Sequence, residues 1–156
     1  MKAKEIMTRN VKTVKLDTTV EEIVKVLALS HISGVPVVDD DDRVLGIVTE
    51  HDLLLRDKIK QAVPRMALFG LFVVPEEEVQ KAYRGYCNVH ASEIMKKNVI
   101  SFPEDADINE IAKFMHKHKI NRVPITDNGK LTGIISRADI IRSIVGGAAG
   151  NSCEVG

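Results

Sequence analysis

Apolar residues recur three and four apart in two stretches of the chain. They are Val20, Ile23, Val24 and Leu27, and later Ile108, Ile111, Ala112 and Met115. This spacing lays each set on one face of a helix. Each run follows a capping signature, Thr19 with Glu22 and Asp107 with Glu110, which predicts where the helix starts. Beyond each helix the pattern changes to two short apolar runs parted by a polar turn. In the second half these are strands over 122–126 and 131–136, joined by Asp127-Asn128-Gly129-Lys130. Asn-Gly supplies the positive φ angles of a tight hairpin. In the first half the turn is Asp39 to Arg43, one residue longer. A short strand is expected ahead of each helix, over 12–14 and 99–102. A second helix is expected to close each half, over 51–61 and 137–145, and the small, polar tail from Gly146 is expected to fray.

The order strand, helix, strand, strand, helix occurs twice because the sequence repeats. A shift of 88 positions carries Glu5, Ile6 and Met7 onto Glu93, Ile94 and Met95, and Val35, Pro36 and Asp39 onto Val123, Pro124 and Asp127. After one residue drops from the turn, a shift of 87 carries Gly46, Ile47 and Asp52 onto Gly133, Ile134 and Asp139. Units of about 55 residues seldom bury enough surface alone, so the copies are expected to pack together. The expected organisation is a first repeat over 1–61, an apolar and helical insertion over 62–90, a second repeat over 91–146 and a flexible tail over 147–156. In the insertion, Pro75 followed by Glu76, Glu77 and Glu78 reads as a helix start, and Gly85 as its stop. Its apolar run over 66–74 is expected to pack on the module or in a dimer contact.

Composition narrows the function classes. With 22 basic and 22 acidic side chains the net charge is zero, which argues against a general nucleic-acid binder. The hydrophobic share, 44%, suffices for a compact core. The run over 66–74 is far short of the roughly 20 residues that cross a bilayer, so no membrane role is expected. The polar start and the isolated Cys87 and Cys153 suggest a cytoplasmic protein with reduced thiols. His116 and His118, two apart on a helix, point to different sides and make a poor metal pair. The acidic run Asp39 to Asp42 has no calcium-loop spacing and reads as an exposed turn.

The candidate chemistry lies where a strand runs into a helix. Thr49-x-x-Asp52 and Ser136-x-x-Asp139 have two readings. A hydroxyl at the cap with an acid three residues on satisfies free N–H groups at a helix start. The same geometry also presents N–H donors to a phosphate and a carboxylate to a ribose diol. The two readings are compatible. Arg122 stands where the first copy has Gly34, and Arg137 where it has Glu50. An arginine here serves either as a surface ion pair or as a forked partner for phosphate. His51, beside Asp52, is expected near the same phosphate.

The motifs Ile6-Met7-Thr8 and Ile94-Met95-Lys96, Val35-Pro36-Val37-Val38-Asp39 and Val123-Pro124-Ile125-Thr126-Asp127, and above all Gly46-Ile47-Val48-Thr49-Glu50-His51-Asp52-Leu53 and Gly133-Ile134-Ile135-Ser136-Arg137-Ala138-Asp139-Ile140 resemble the CBS domain. Two in tandem resemble a CBS pair, or Bateman module. The resemblance implies an α/β (mixed α+β) fold of two βαββα repeats packed sheet to sheet about a pseudo-twofold axis. It implies two clefts for adenosine nucleotides and pairing of modules into a disc-shaped homodimer. In it, Asp52 and Asp139 hold ribose, with Thr49 and Ser136 near ribose or phosphate. Ile32 and Ile120 flank adenine with Ser33 and Asn121 beside them, and Thr13 and Ser101 touch the base. Each cleft would combine the Thr/Ser-x-x-Asp of one copy with the strand residues of the other, so that Arg122 would favour the cleft of Thr49 and Asp52. The function so implied is non-enzymatic: a regulatory module for AMP, ADP or ATP, with S-adenosylmethionine a further candidate, no required cofactor, and an effector protein that the sequence does not name. The alternatives are a small nucleotide-hydrolysing enzyme with Asp52 or Asp139 as base, and a ligand-free scaffold.

Overall fold

The computed structural model of the chain describes residues 1–54 and 87–148. The elements are α1 (Ala3–Ile6), α2 (Val20–Ser30), β1 (Gly34–Val38), β2 (Val44–Thr49), α3 (Glu50–Leu54), α4 (Ala91–Ile94), α5 (Ile108–Lys117), β3 (Arg122–Asp127), β4 (Lys130–Ser136) and α6 (Arg137–Ala148). β1 pairs with β2 and β3 with β4, so the fold is mixed α+β with two small sheets. Residues 62–86 of the expected 62–90 insertion, with its helix, residues 55–61 of the expected 51–61 helix, and the residues after 148 lie outside the described residues.

The chain forms two compact units, and neither coincides with one copy of the repeat. Unit one takes Met1–Val11, Asp41–Val44 and the chain from Val99 onward; unit two takes Lys12–Asp40 and Leu45–Asn98. Each copy's opening segment therefore docks on the hairpin of the other copy. In unit one, Thr8 and Ile134 exchange backbone hydrogen bonds of 3.0 Å in both directions. In unit two, the Ile47 N–H donates to the Lys96 carbonyl at 3.1 Å and the Lys96 N–H returns to Ile47 at 2.9 Å. The sequence pattern gives no warning of α1 and α4, which are single helical turns too short to show a period. Their Ala3 and Ala91 are fully buried, and the small side chains let the turns lie close on the sheets.

The core of unit two gathers Val20, Ile23 and Leu27 of α2 with Val35, Val37 and Val48 of the sheet and Ala91 and Ile94 of α4. Unit one repeats the arrangement with Ile111 and Met115 of α5, Val123, Ile125 and Ile135, and Ala3 and Met7. Of the apolar positions three and four apart, Val20, Ile23, Leu27, Ile111 and Met115 are buried, and Val24, Ile108 and Ala112 are half-buried. At the start of α2, Thr19 Oγ1 accepts from the Glu22 N–H and the Glu22 carboxylate accepts from the Thr19 N–H, completing the expected box. α5 differs from expectation. Asp107 caps through the Asn109 N–H at 2.8 Å, and no return bond from Glu110 closes a box. The backbone beside Asp107 is already tied to the amino terminus, through Ala3 N–H to Ala106 O and Ile108 N–H to Met1 O. We expect Thr19→Ala to lower stability by about 1 kcal/mol, read from denaturant midpoints, because the Glu22 N–H loses its acceptor.

The expected opening strands shrink to single bridged residues. Val14 bridges Val37 and Phe102 bridges Ile125, both in parallel. The residues next in line to pair, Leu16 and Glu104, instead give their carbonyls to the N–H groups of Ser92 and Lys4, both at 3.0 Å. The β3–β4 hairpin turns at Asn128 and Gly129 with φ of 49° and 82°, as the Asn-Gly pair predicts. α6 runs three residues beyond the expected 145, through Gly146 and Gly147 to Ala148.

Candidate functional site

Both strand-to-helix turns are built alike. At the end of β2 the Thr49 N–H and hydroxyl donate to one oxygen, Asp52 Oδ2, at 2.9 and 3.0 Å. At the end of β4 the Ser136 N–H and hydroxyl donate to Asp139 Oδ2 at 2.7 and 2.6 Å, and the Asp139 N–H returns to Ser136 Oγ at 3.3 Å. The capping reading of these motifs is therefore realised, with the reciprocal bond from the aspartate N–H described at Ser136 alone. It also fixes the carboxylate: Oδ2 is saturated by the cap, and Oδ1 is the oxygen left to face other groups. In unit two Oδ1 of Asp52 lies 3.9 Å from Lys96 Nζ, and in unit one Oδ1 of Asp139 pairs with Arg142. Both aspartates are nearly buried, at 9% and 8% side-chain exposure. A carboxylate so buried needs such a partner.

Other candidate residues collect around each turn within its own unit. The Glu50 N–H donates to the Ser33 carbonyl at 2.9 Å, and the Arg137 N–H to the Asn121 carbonyl at 3.0 Å. Ile32 and Ile120 are half-buried and pack against the two cores. The Arg137 Nε–H donates to the Ile120 carbonyl at 3.0 Å, which ties this side chain to the loop beneath it. Arg122 is the register partner of Ser136 across β3 and β4, so it stands beside the Ser136 turn of unit one, whereas the resemblance implies a place for it with Thr49 and Asp52. His51 is exposed on α3. Thr13 and Ser101 precede the bridged Val14 and Phe102, and the Ser101 hydroxyl is 2.9 Å from that of Thr126. His116 and His118 are exposed, with the His118 ring resting against Phe114.

Sequence reasoning missed the two cations. Arg142 was open to it, since three residues from Asp139 on a helix is a pairing distance. Lys96 was not, because it reaches Asp52 through the exchange of opening segments, which no local pattern reveals. The repeat explains why the two turns differ. Thr8 matches Lys96 in the other copy, and Leu55 matches Arg142.

The CBS domain family matches residues 3–59 and 91–146. The chain belongs to the CBS domain family. A CBS domain-containing protein of Dictyostelium discoideum is 29% identical over 144 residues, covering 91% of this chain and 90% of its own. An inosine-5'-monophosphate dehydrogenase of Aquifex aeolicus is 32% identical over 142 residues, covering 90% of this chain; the chain spans 24% of that enzyme's length. Among solved structures, CBSX2 of Arabidopsis thaliana in complex with AMP has a TM-score of 0.70 at 24% identity, covering 93% of this chain and 96% of its own. The CBS domain pair of protein MJ0100, in complex with 5'-methylthioadenosine and S-adenosyl-L-methionine, has a TM-score of 0.69 at 24% identity, covering 94% and 98%. Among the described residues of this CBS chain no helix is long and apolar enough to cross a membrane.

Proposed function

We propose that this CBS pair is a regulatory module that binds adenosine ligands, with Asp52 and Asp139 each receiving a ribose. The observation that carries the reading is the carboxylate geometry, made twice from different residues. A cap that saturates Oδ2 holds Oδ1 in one orientation, and an oriented acceptor suits a diol better than a rotating one. The AMP complex of CBSX2 and the methylthioadenosine and S-adenosylmethionine complex of MJ0100 support the ligand class. Backbone groups of Ser33 and Asn121, with Ile32, Ile120, Thr13 and Ser101, are assigned to the base, and Thr49, Ser136, His51, Arg122 and Arg137 to the ribose and phosphate side. The module acts by binding and not by turnover. Occupancy shifts its association with an effector protein or with a second copy, by no more than the ligand's differential affinity for the two states.

A thermal-shift series with AMP, ADP, ATP and S-adenosylmethionine tests this reading. A true ligand raises the melting temperature progressively with concentration. No shift with any of them leaves a scaffold whose aspartates only cap helices. Steady production of phosphate from ATP and magnesium would point to the hydrolase alternative. For self-association we propose the outer face of α6, where Ile141, Ile144 and Val145 are exposed at helical spacing. We expect sedimentation to show a dimer that Ile144→Asp converts to monomer.

A further inference from the structure

The two turns treat their aspartates differently, and the difference bears on which ligand each accepts. Around Asp52 in unit two stand Glu50 and, at 3.9 Å, the single amine of Lys96. The turn of Asp139 in unit one has Arg122 across the strand pair, Arg137 at the start of α6 and Arg142 on the carboxylate itself. With Oδ2 taken by Ser136 and Oδ1 by Arg142, the Asp139 carboxylate has a donor on each oxygen. A ribose hydroxyl reaches Oδ1 only by displacing Arg142. The arginine side chain is 72% exposed, so it is free to swing away from the helix surface. Leaving Asp139 costs it a charge-assisted hydrogen bond, a loss that a new anion can offset and a neutral substituent cannot.

We infer that Arg142 is a specificity residue that exchanges partners: it is the counter-ion of Asp139 in the empty site and a ligand of phosphate in the filled one. The inference rests on the proposed ribose role of Asp139. The Ser136–Asp139 site therefore selects adenosine ligands bearing a phosphate against those with a neutral 5' group. The Thr49–Asp52 site has a weaker competitor at Asp52 and discriminates less.

Calorimetry on the full chain carrying Asp52→Ala, which silences the other turn, tests this with AMP and 5'-methylthioadenosine. The expected result is tighter binding of AMP. Adding Arg142→Ala should tighten methylthioadenosine about tenfold, the size of the one charge-assisted hydrogen bond it no longer has to break, and should leave AMP little changed, because the bond lost to phosphate is offset by the one no longer broken at Asp139. Arg142→Lys should keep part of the AMP preference, because it retains the charge without the fork. Tightening of the neutral ligand without tightening of AMP cannot come from a merely structural role. Equal weakening of both, or no change in either, overturns the inference while leaving the ribose role of Asp139 in place. If the unmutated protein binds neither compound, the reading beneath the inference fails and the inference fails with it.

Discussion

Gly46→Ala should destabilise unit two by about 3 kcal/mol, the upper end of the cost of overpacking. A Gly-to-Ala change in a strand is ordinarily favourable by about 0.5–1 kcal/mol, so the expected sign is reversed. A Cβ at Gly46 would lie 2.7 Å from the Lys96 carbonyl oxygen and 2.6 Å from Met95 Sδ. The sulfur can move, but that carbonyl accepts the Ile47 N–H and holds the opening segment of the second copy on β2. Displacing it also displaces Lys96, whose amine faces Asp52. The matching Gly133→Ala should cost less, about 1 kcal/mol, because the atoms nearest its Cβ belong to the Met7 side chain, with Sδ at 2.5 Å, and not to a backbone carbonyl. Denaturant unfolding of the double mutants separates the cases. Met7→Ala should relieve most of the Gly133→Ala penalty, and Met95→Ala should leave most of the Gly46→Ala penalty standing. Equal rescue of both would mean that the Lys96 carbonyl yields as readily as a side chain.

Asp52→Ala and Asp139→Ala should each weaken the binding of AMP at the affected turn by about 10- to 100-fold, and the double substitution should abolish measurable binding. The size follows from the 1.5–3 kcal/mol of hydrogen bonds to a charged group. Each change also removes a cap, so each should lower stability by about 1 kcal/mol as well. The two effects come apart in Thr49→Ala and Ser136→Ala. These release the carboxylate from its fixed orientation without removing it, so they should reduce affinity less than the aspartate changes. If all four variants melted lower but bound AMP unchanged, Asp52 and Asp139 would be caps and nothing more.

Much of this architecture is legible in the sequence because its signals are local. Val20, Ile23 and Leu27 announce a buried helix face, Thr19 and Glu22 its start, and Asn128-Gly129 a hairpin, each within a few residues. The repeat then makes every reading twice. What sequence does not reveal is nonlocal. Nothing near Thr8 or Lys96 says that the two opening segments trade places, and so the division into repeats differs from the division into compact units. The same exchange hides Lys96 as the partner of Asp52. The expected 12–14 and 99–102 strands reduce to one bridged residue each, since Leu16 and Glu104, next in line to pair, give their carbonyls to Ser92 and Lys4 of the opening segments. At the site, the pattern Thr/Ser-x-x-Asp identifies the right carboxylates. Which oxygen is left after capping, and which cation faces it, becomes visible only in three dimensions.

Isothermal titration of AMP into this chain stripped of nucleotide is the most direct test of the assignment of Asp52 and Asp139 to ribose. Saturable heat should fall by one site in each single aspartate-to-alanine variant and vanish in the double variant. Absence of heat with AMP, or heat that survives in the double variant, would contradict that assignment.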